Sequence, residues 1–87
     1  KKRMEYKLLP QALTWSEAKS YCTFKNVDLP NPKQLMEWAK THQANVDIWT
    51  SEENHHDPES AKCWSGKYLT IKPKEKAKKC LLLLLMK

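Results

Sequence analysis

Leu13-Thr14-Trp15-Ser16-Glu17-Ala18-Lys19-Ser20-Tyr21-Cys22 is the stretch whose reading decides the fold. Thr14 followed three residues later by Glu17 is a capping box: each side chain can satisfy a backbone N–H that the first turn of a helix leaves unpaired. Leu13 before the cap and Ala18 after it are placed to form a hydrophobic staple. From this start, Trp15, Ala18, Tyr21 and Cys22 fall on one helical face, so the helix presents an apolar stripe and carries Cys22 inward at its C-terminal end.

Upstream, Met4 to Leu9 reads as a strand with Met4, Tyr6 and Leu8 on one face at period two, closed by Pro10. Downstream, Leu29-Pro30-Asn31-Pro32 breaks the chain and restarts it. Asn31 caps a second helix, and Pro32 occupies the first helical position, where its missing N–H costs nothing. The apolar face of that helix is Leu35, Trp38 and Ala39 with His42 at its edge, and the pattern dissolves by Asn45. Val46 to Ser51 forms a short strand, and the polar run Glu52 to Ser60 is a loop. Ala61 to Trp64 and Lys67 to Ile71 are expected as two strands joined at Ser65-Gly66, where the chain's one glycine supplies a turn. Lys72 to Lys79 is ambiguous, with Pro73 at a first-turn position and the Lys, Glu and Ala composition favouring a helix. The five leucines after Cys80 read equally as a buried strand or as a helix, with propensity favouring helix.

With 87 residues and no internal repeat or low-complexity linker, the chain is expected to be one domain spanning residues 1–87. A core of that size is marginal on its own, so a covalent staple is expected. Three cysteines, Cys22, Cys63 and Cys80, with no CxxC or HxxxH pair beside them, do not make a structural zinc site. One disulfide and one odd thiol is the simpler count, implying an oxidising compartment; three reduced, buried thiols in a cytosolic protein is the alternative. No stretch approaches the length of a membrane span. Lys1-Lys2-Arg3-Met4 is not followed by an apolar signal-peptide core, so a secreted protein would present here as a mature product or an excised domain.

The net charge of +6 is unevenly spread. Between Thr41 and Ala61 there is no Lys or Arg, while Asp47, Glu52, Glu53, Asp57 and Glu59 contribute five negative charges; from Lys62 to Lys87 eight lysines face Glu75 alone. The lysines are not interleaved with aromatics, and Arg3 is the one arginine, so a solvated basic face is expected rather than a nucleic-acid footprint.

The Trp15, Ala18 and Cys22 spacing resembles the first helix of C-type-lectin-like domains. Asp28-Leu29-Pro30 with Gln34-Leu35 resembles the junction and second helix of the bacterial branch of that family, which includes the tip modules of intimin- and invasin-type adhesins. Ile48-Trp49-Thr50-Ser51 is similar to that branch's short strand, and Lys79-Cys80-Leu81 to its last strand. The resemblance spans Leu13 to Leu85 and rests on the order and spacing of short motifs. It implies an α+β fold of two helices packed on a small antiparallel sheet, with the N- and C-terminal strands adjacent and Cys80 to Leu85 in mid-sheet. It also implies a disulfide between Cys22 and Cys80, leaving Cys63 unpaired; closing that loop would contribute roughly 4 kcal/mol in the chain-entropy model. The Glu-Pro-Asn, Gln-Pro-Asp and Trp-Asn-Asp triplets by which sugar-binding members hold calcium are missing, so no calcium or other cofactor is expected.

Glu52, Glu53, His55, His56 and Asp57 form the one cluster of metal-ligating side-chain types, but adjacent histidines on an extended loop point apart and are not expected to share an ion. An acidic, histidine-bearing loop is instead a candidate contact surface. Trp49 and Trp64 flank it; burial in the core is the leading reading of both, and one of them, partly exposed, is the candidate anchor for a partner. No GxSxG elbow or Gly-rich phosphate loop occurs, and nothing beside Cys63 would activate it, so the chain is not expected to be an enzyme. The expected function is an extracellular or cell-surface module recognising a protein receptor. The alternatives are a calcium-independent lectin and a basic intracellular nucleic-acid-binding domain using Lys72 to Lys79.

Overall fold

A computed structural model describes residues 5–86 as a small α+β domain. Its elements run β1 (Glu5–Leu13), α1 (Trp15–Lys25), α2 (Pro32–His42), β2 (Ile48–Glu53), β3 (Ser60–Ser65), β4 (Thr70–Glu75) and β5 (Cys80–Met86). The strands form one sheet in the order β1-β5-β2-β3-β4. It is mixed rather than purely antiparallel, because β2 meets β5 in parallel through Ile48 and Leu81, while every other pairing is antiparallel.

Both helices start where the caps place them. Thr14 Oγ1 accepts from the Glu17 N–H at 3.3 Å, and Glu17 Oε1 accepts from the Thr14 N–H at 3.0 Å. Asn31 and Gln34 repeat the arrangement at α2, with distances of 2.7 and 3.0 Å. The helices end on Asn26 and Gln43, both in the left-handed conformation, at φ 55° and 51°. Such C-terminal residues turn the chain out of the helix while their N–H groups satisfy its last carbonyls.

The sheet separates two apolar clusters. Trp15, Ala18 and Cys22 of α1 pack with Trp49, Ala61, Cys63, Cys80, Leu82 and Leu84. Leu35 and Ala39 of α2 pack with Ile48, Trp64 and Leu83. Consecutive residues of one strand enter different clusters, Ile48 and Trp49, Cys63 and Trp64, Leu82 and Leu83, as the alternation of side chains across a sheet requires. The unbroken leucine run is thereby explained: β5 lies inside the sheet with a core on each face, and a strand buried on both faces reads as continuously hydrophobic.

Several expectations change. The strand expected over Val46 to Ser51 is Ile48–Glu53, and with Ser60 opening β3 the loop expected over Glu52 to Ser60 is confined to residues 54–59, because Glu53 pairs with Ala61. Met4 lies outside the described residues, and β1 does not close at Pro10; it continues to Leu13, with a register shift between Leu9 and Leu13. As an edge strand it tolerates a proline whose missing N–H would interrupt a central ladder. Of the face shared by Tyr6 and Leu8, Tyr6 packs on the α2 cluster while Leu8 is 37% exposed, and Leu9 on the other face packs on the α1 cluster. Lys72 to Glu75 is strand, not helix, because β4 pairs in register with β3 from Ser60↔Glu75 to Ser65↔Thr70. Pro73 is again accommodated on an edge strand. The turn between β3 and β4 is longer than expected, running from Gly66 to Leu69.

Candidate functional site

The loop between β2 and β3 is an ordered turn. Its ends are closed by Asn54 N–H donating to Ser60 C=O and Ser60 N–H donating to Asp57 C=O, both at 3.0 Å. Inside it, Asp57 accepts from the Glu59 N–H at 3.0 Å and from Ser60 Oγ at 2.9 Å, and Asn54 Oδ1 accepts from the His56 N–H at 3.2 Å. Hydrogen bonds from the Glu59 backbone and the Ser60 hydroxyl hold the Asp57 carboxyl below the usual aspartate value. Asp57, His55, His56, Pro58 and Glu59 are exposed. The backbone of the loop is therefore fixed while its side chains face solvent.

The acidic charge expected of this segment is partly met within the molecule. Glu52 pairs with Lys62 at 3.5 Å, and Glu53 with Lys76 at 3.3 Å. Lys76 also lies 4.6 Å over the Trp15 ring, and its N–H donates to Glu59 C=O at 2.8 Å. The basic and acidic halves of the sequence thus meet along one side of the loop.

Trp49 and Trp64 are not surface anchors. They are 0% and 1% exposed, one in each core cluster. Each indole N–H is satisfied internally: Trp49 Nε1 donates to Leu13 C=O at 2.8 Å, and Trp64 Nε1 donates to Ala44 C=O at 3.1 Å. Trp15 follows the same pattern, donating to Thr50 C=O at 3.0 Å. Tryptophan here joins loop and strand carbonyls to the core, which burial of its N–H requires.

The exposed aromatic near the sheet is instead Tyr68, in the β3–β4 turn, 58% exposed beside an equally exposed Leu69. Lys72 and Lys67 lie 4.1 and 5.3 Å from its ring centroid. The turn is pinned below: Gly66 N–H donates to Asp47 Oδ1 at 2.9 Å, Tyr68 N–H donates to Ser65 Oγ at 3.1 Å, and Leu69 N–H donates to Ser65 C=O at 2.8 Å. Asp47 also holds the Lys74 ammonium. The sequence reading missed Tyr68 and Leu69 because it placed them in a strand; the lone glycine beside them was the available signal.

Cys22, Cys63 and Cys80 are free and buried in the α1 cluster. The neighbour of Cys80 is Cys63, 4.4 Å away. Cys22 lines a cleft of about 400 Å³ with Lys19, Asp28, Gln34, Ser51 and Leu85. Asp28, just past α1, exchanges backbone hydrogen bonds with Leu85 at 2.8 and 3.3 Å, which places the end of α1 near the C-terminal end of β5. Burial, followed by the nearby Asp28 charge, raises the Cys22 thiol above the ordinary cysteine value.

Among the described residues, no three His, Cys, Asp or Glu side chains converge as a metal-ligand set, and no helix is long and apolar enough to cross a membrane. Comparison with protein-family models, with curated proteins and with solved structures gives no match to this chain.

Proposed function

We propose that this chain is a C-type-lectin-like recognition module of an extracellular or cell-surface protein, meeting a protein receptor through the loop between β2 and β3, as an adhesin tip domain would. It performs no chemistry on its ligand. The observation that carries the reading is the construction of that loop: a hydrogen-bonded turn, seated on a two-sided core, that leaves His55, His56, Pro58 and Glu59 in solvent. A preorganised loop loses little conformational entropy on binding, and loops on rigid scaffolds are where recognition concentrates. The pairing of the first and last strands, with two helices between β1 and β2, agrees with the fold the sequence motifs imply.

The contact residues in this reading are Glu52, Glu53, His55, His56 and Asp57, without a tryptophan anchor. The partner face carries Lys or Arg. Fluorescently labelled domain should bind cultured cells saturably, and trypsin treatment of those cells should remove the binding while glycosidase treatment leaves it. Loss on glycosidase treatment alone would turn the reading to a lectin, and no saturable binding would refute it. Replacing Glu52, Glu53 and Asp57 by Gln, Gln and Asn should slow association at low salt and matter less at high salt, as rim charges do.

A further inference from the structure

The sheet has a seam. On one side, β1 and β5 are laced antiparallel from Glu5↔Met86 to Leu13↔Cys80. On the other, β2, β3 and β4 form a continuous antiparallel unit. The two halves share the single parallel pair Ile48↔Leu81, where the Leu81 N–H donates to Asp47 C=O at 2.9 Å. Trp49 reaches across with its bond to Leu13 C=O. Cys63 of β3 and Cys80 of β5 stand on opposite sides of this seam, in the same apolar cluster, 4.4 Å apart.

We propose that Cys63 and Cys80 are a cross-linking site: a small-molecule disulfide oxidises them to a cystine that staples the two halves of the sheet, leaving Cys22 as the free thiol. This replaces the Cys22–Cys80 pairing that the sequence motifs imply. The reason is where α1 lies. It starts beside Leu13, which pairs with Cys80, and Cys22 is seven residues further along, about 10 Å at the helical rise. There it shares a cleft with Leu85, which is five residues past Cys80, about 17 Å along an extended strand. Cys22 therefore lies toward the far end of β5. Cys63 and Cys80, on the two strands that flank β2, are the near pair at 4.4 Å, whereas cysteines held well apart cannot bond without backbone movement.

The step is a thiol–disulfide exchange. Cys63 loses its proton, and its sulfur attacks one sulfur of the oxidant, forming a mixed disulfide and expelling one thiolate. Cys80 then loses its proton and attacks Sγ of Cys63, expelling the second thiolate. Two protein thiols are oxidised, and one small disulfide is reduced to two thiols. The order of attack follows from the environment. The hydrogen bond from the Cys80 thiol lowers the Cys63 pKa against the opposing effect of burial, and the nearby Lys74 ammonium helps; that same bond, with burial, raises Cys80. Cys63 is the better thiolate and Cys80 the resolving thiol. The closed loop from residue 63 to residue 80 contains all of β4. It restrains an edge strand and the unfolded chain together.

Trypsin places the three cysteines in three peptides, Ser20–Lys25, Cys63–Lys67 and Cys80–Lys87. The purified domain is incubated with oxidised glutathione, alkylated while folded, then alkylated again with a second reagent after unfolding, and mapped without reduction. The expected product links Cys63–Lys67 to Cys80–Lys87, with Cys22 alkylated and in no disulfide. Oxidation should raise the melting temperature by about 10–20 °C. Cys22→Ser should keep that rise, and Cys63→Ser or Cys80→Ser should lose it. A Cys22 to Cys80 link, or a glutathione adduct that stays on Cys63 without closing, would overturn the proposal. If a serine variant does not fold, the wild-type map decides alone.

Discussion

Replacing Asp47 should loosen the end of the sheet that carries the β3–β4 turn. Its carboxylate accepts from the Gly66 N–H at 2.9 Å and holds the Lys74 ammonium, so one side chain ties the start of β2 to the turn and to β4. A hydrogen bond to a charged acceptor contributes about 1.5 kcal/mol. The ion pair is partly exposed, 27% at Lys74 and 35% at Asp47, so after solvent screening it adds about 0.5 kcal/mol. Asp47→Ala should cost about 2 kcal/mol, a fall of about 8–16 °C in melting temperature for a domain of this size. Asp47→Asn keeps an acceptor for Gly66 and should cost about 0.5–1 kcal/mol.

The pH dependence has a definite sign. Burial pushes the Asp47 pKa up, but the bonds from Lys74 and Gly66 outweigh it and leave the folded value below 3.8. A carboxyl depressed in the folded state stabilises fully above its unfolded pKa and loses that contribution as pH falls through the folded one. The gap between wild type and Asp47→Asn should therefore be full at pH 7 and close on acidification below about pH 4. Lys74 behaves oppositely. The bond to Asp47 raises its pKa above 10.5, so its contribution is present below that value and lost as pH climbs through the folded one. Thermal melts followed by far-UV circular dichroism from pH 3 to pH 8 test the Asp47 arm, and melts above pH 10 test the Lys74 arm. An Asp47→Ala melting temperature within 2 °C of wild type, or a gap to Asp47→Asn that is unchanged at pH 3, would refute the reasoning.

Gly66→Ala should destabilise by roughly 2–4 kcal/mol, since its new methyl would sit 2.2 Å from the Asn45 backbone carbonyl carbon, and urea titration reads the shift in midpoint. Leu69→Gly should raise stability by about 0.5–1 kcal/mol, because Leu69 is exposed at φ 54°, where a side chain strains the backbone; an unchanged or lower midpoint would count against it. Thr14→Ala removes the cap of α1 and should cost about 1 kcal/mol, with Thr14→Ser recovering most of it in the same titration. Trp49→Phe should cost about 2–4 kcal/mol through a cavity and an unpaired Leu13 carbonyl beside the seam, and amide exchange of β1 and β5 should speed up together.

Local chemistry was legible where a few neighbouring residues decide the outcome. Thr14 with Glu17, and Asn31 before Pro32, announced both helix starts, because caps act over three residues and need no distant partner. The loop after Glu53 was legible for the same reason, as was the inward placement of Trp15, Ala18 and Cys22. The candidate site was only partly so. Its loop lies where expected, but the anchors assigned to Trp49 and Trp64 are core, since an indole's burial depends on which sheet face it meets and which carbonyl reaches its N–H.

Lys72 to Glu75 and the leucines after Cys80 show what the tertiary structure decided. Lysine, glutamate and alanine favour helix by propensity, yet β4 gains a full ladder from β3, and β5 gains neighbours on both edges with a core on both faces. Burial and pairing outweigh propensities of a few tenths of a kcal/mol per residue. The Cys63–Cys80 pairing proposed above rests on the same long-range contacts. The count of three cysteines suggested one bridge, but proximity depends on α1 carrying Cys22 toward Leu85 while the sheet brings β3 across to the start of β5. Composition and capping set which segments are helices and how many thiols there are. Which strands neighbour one another, and so which thiols meet, follows from long-range pairing that short windows of sequence do not encode.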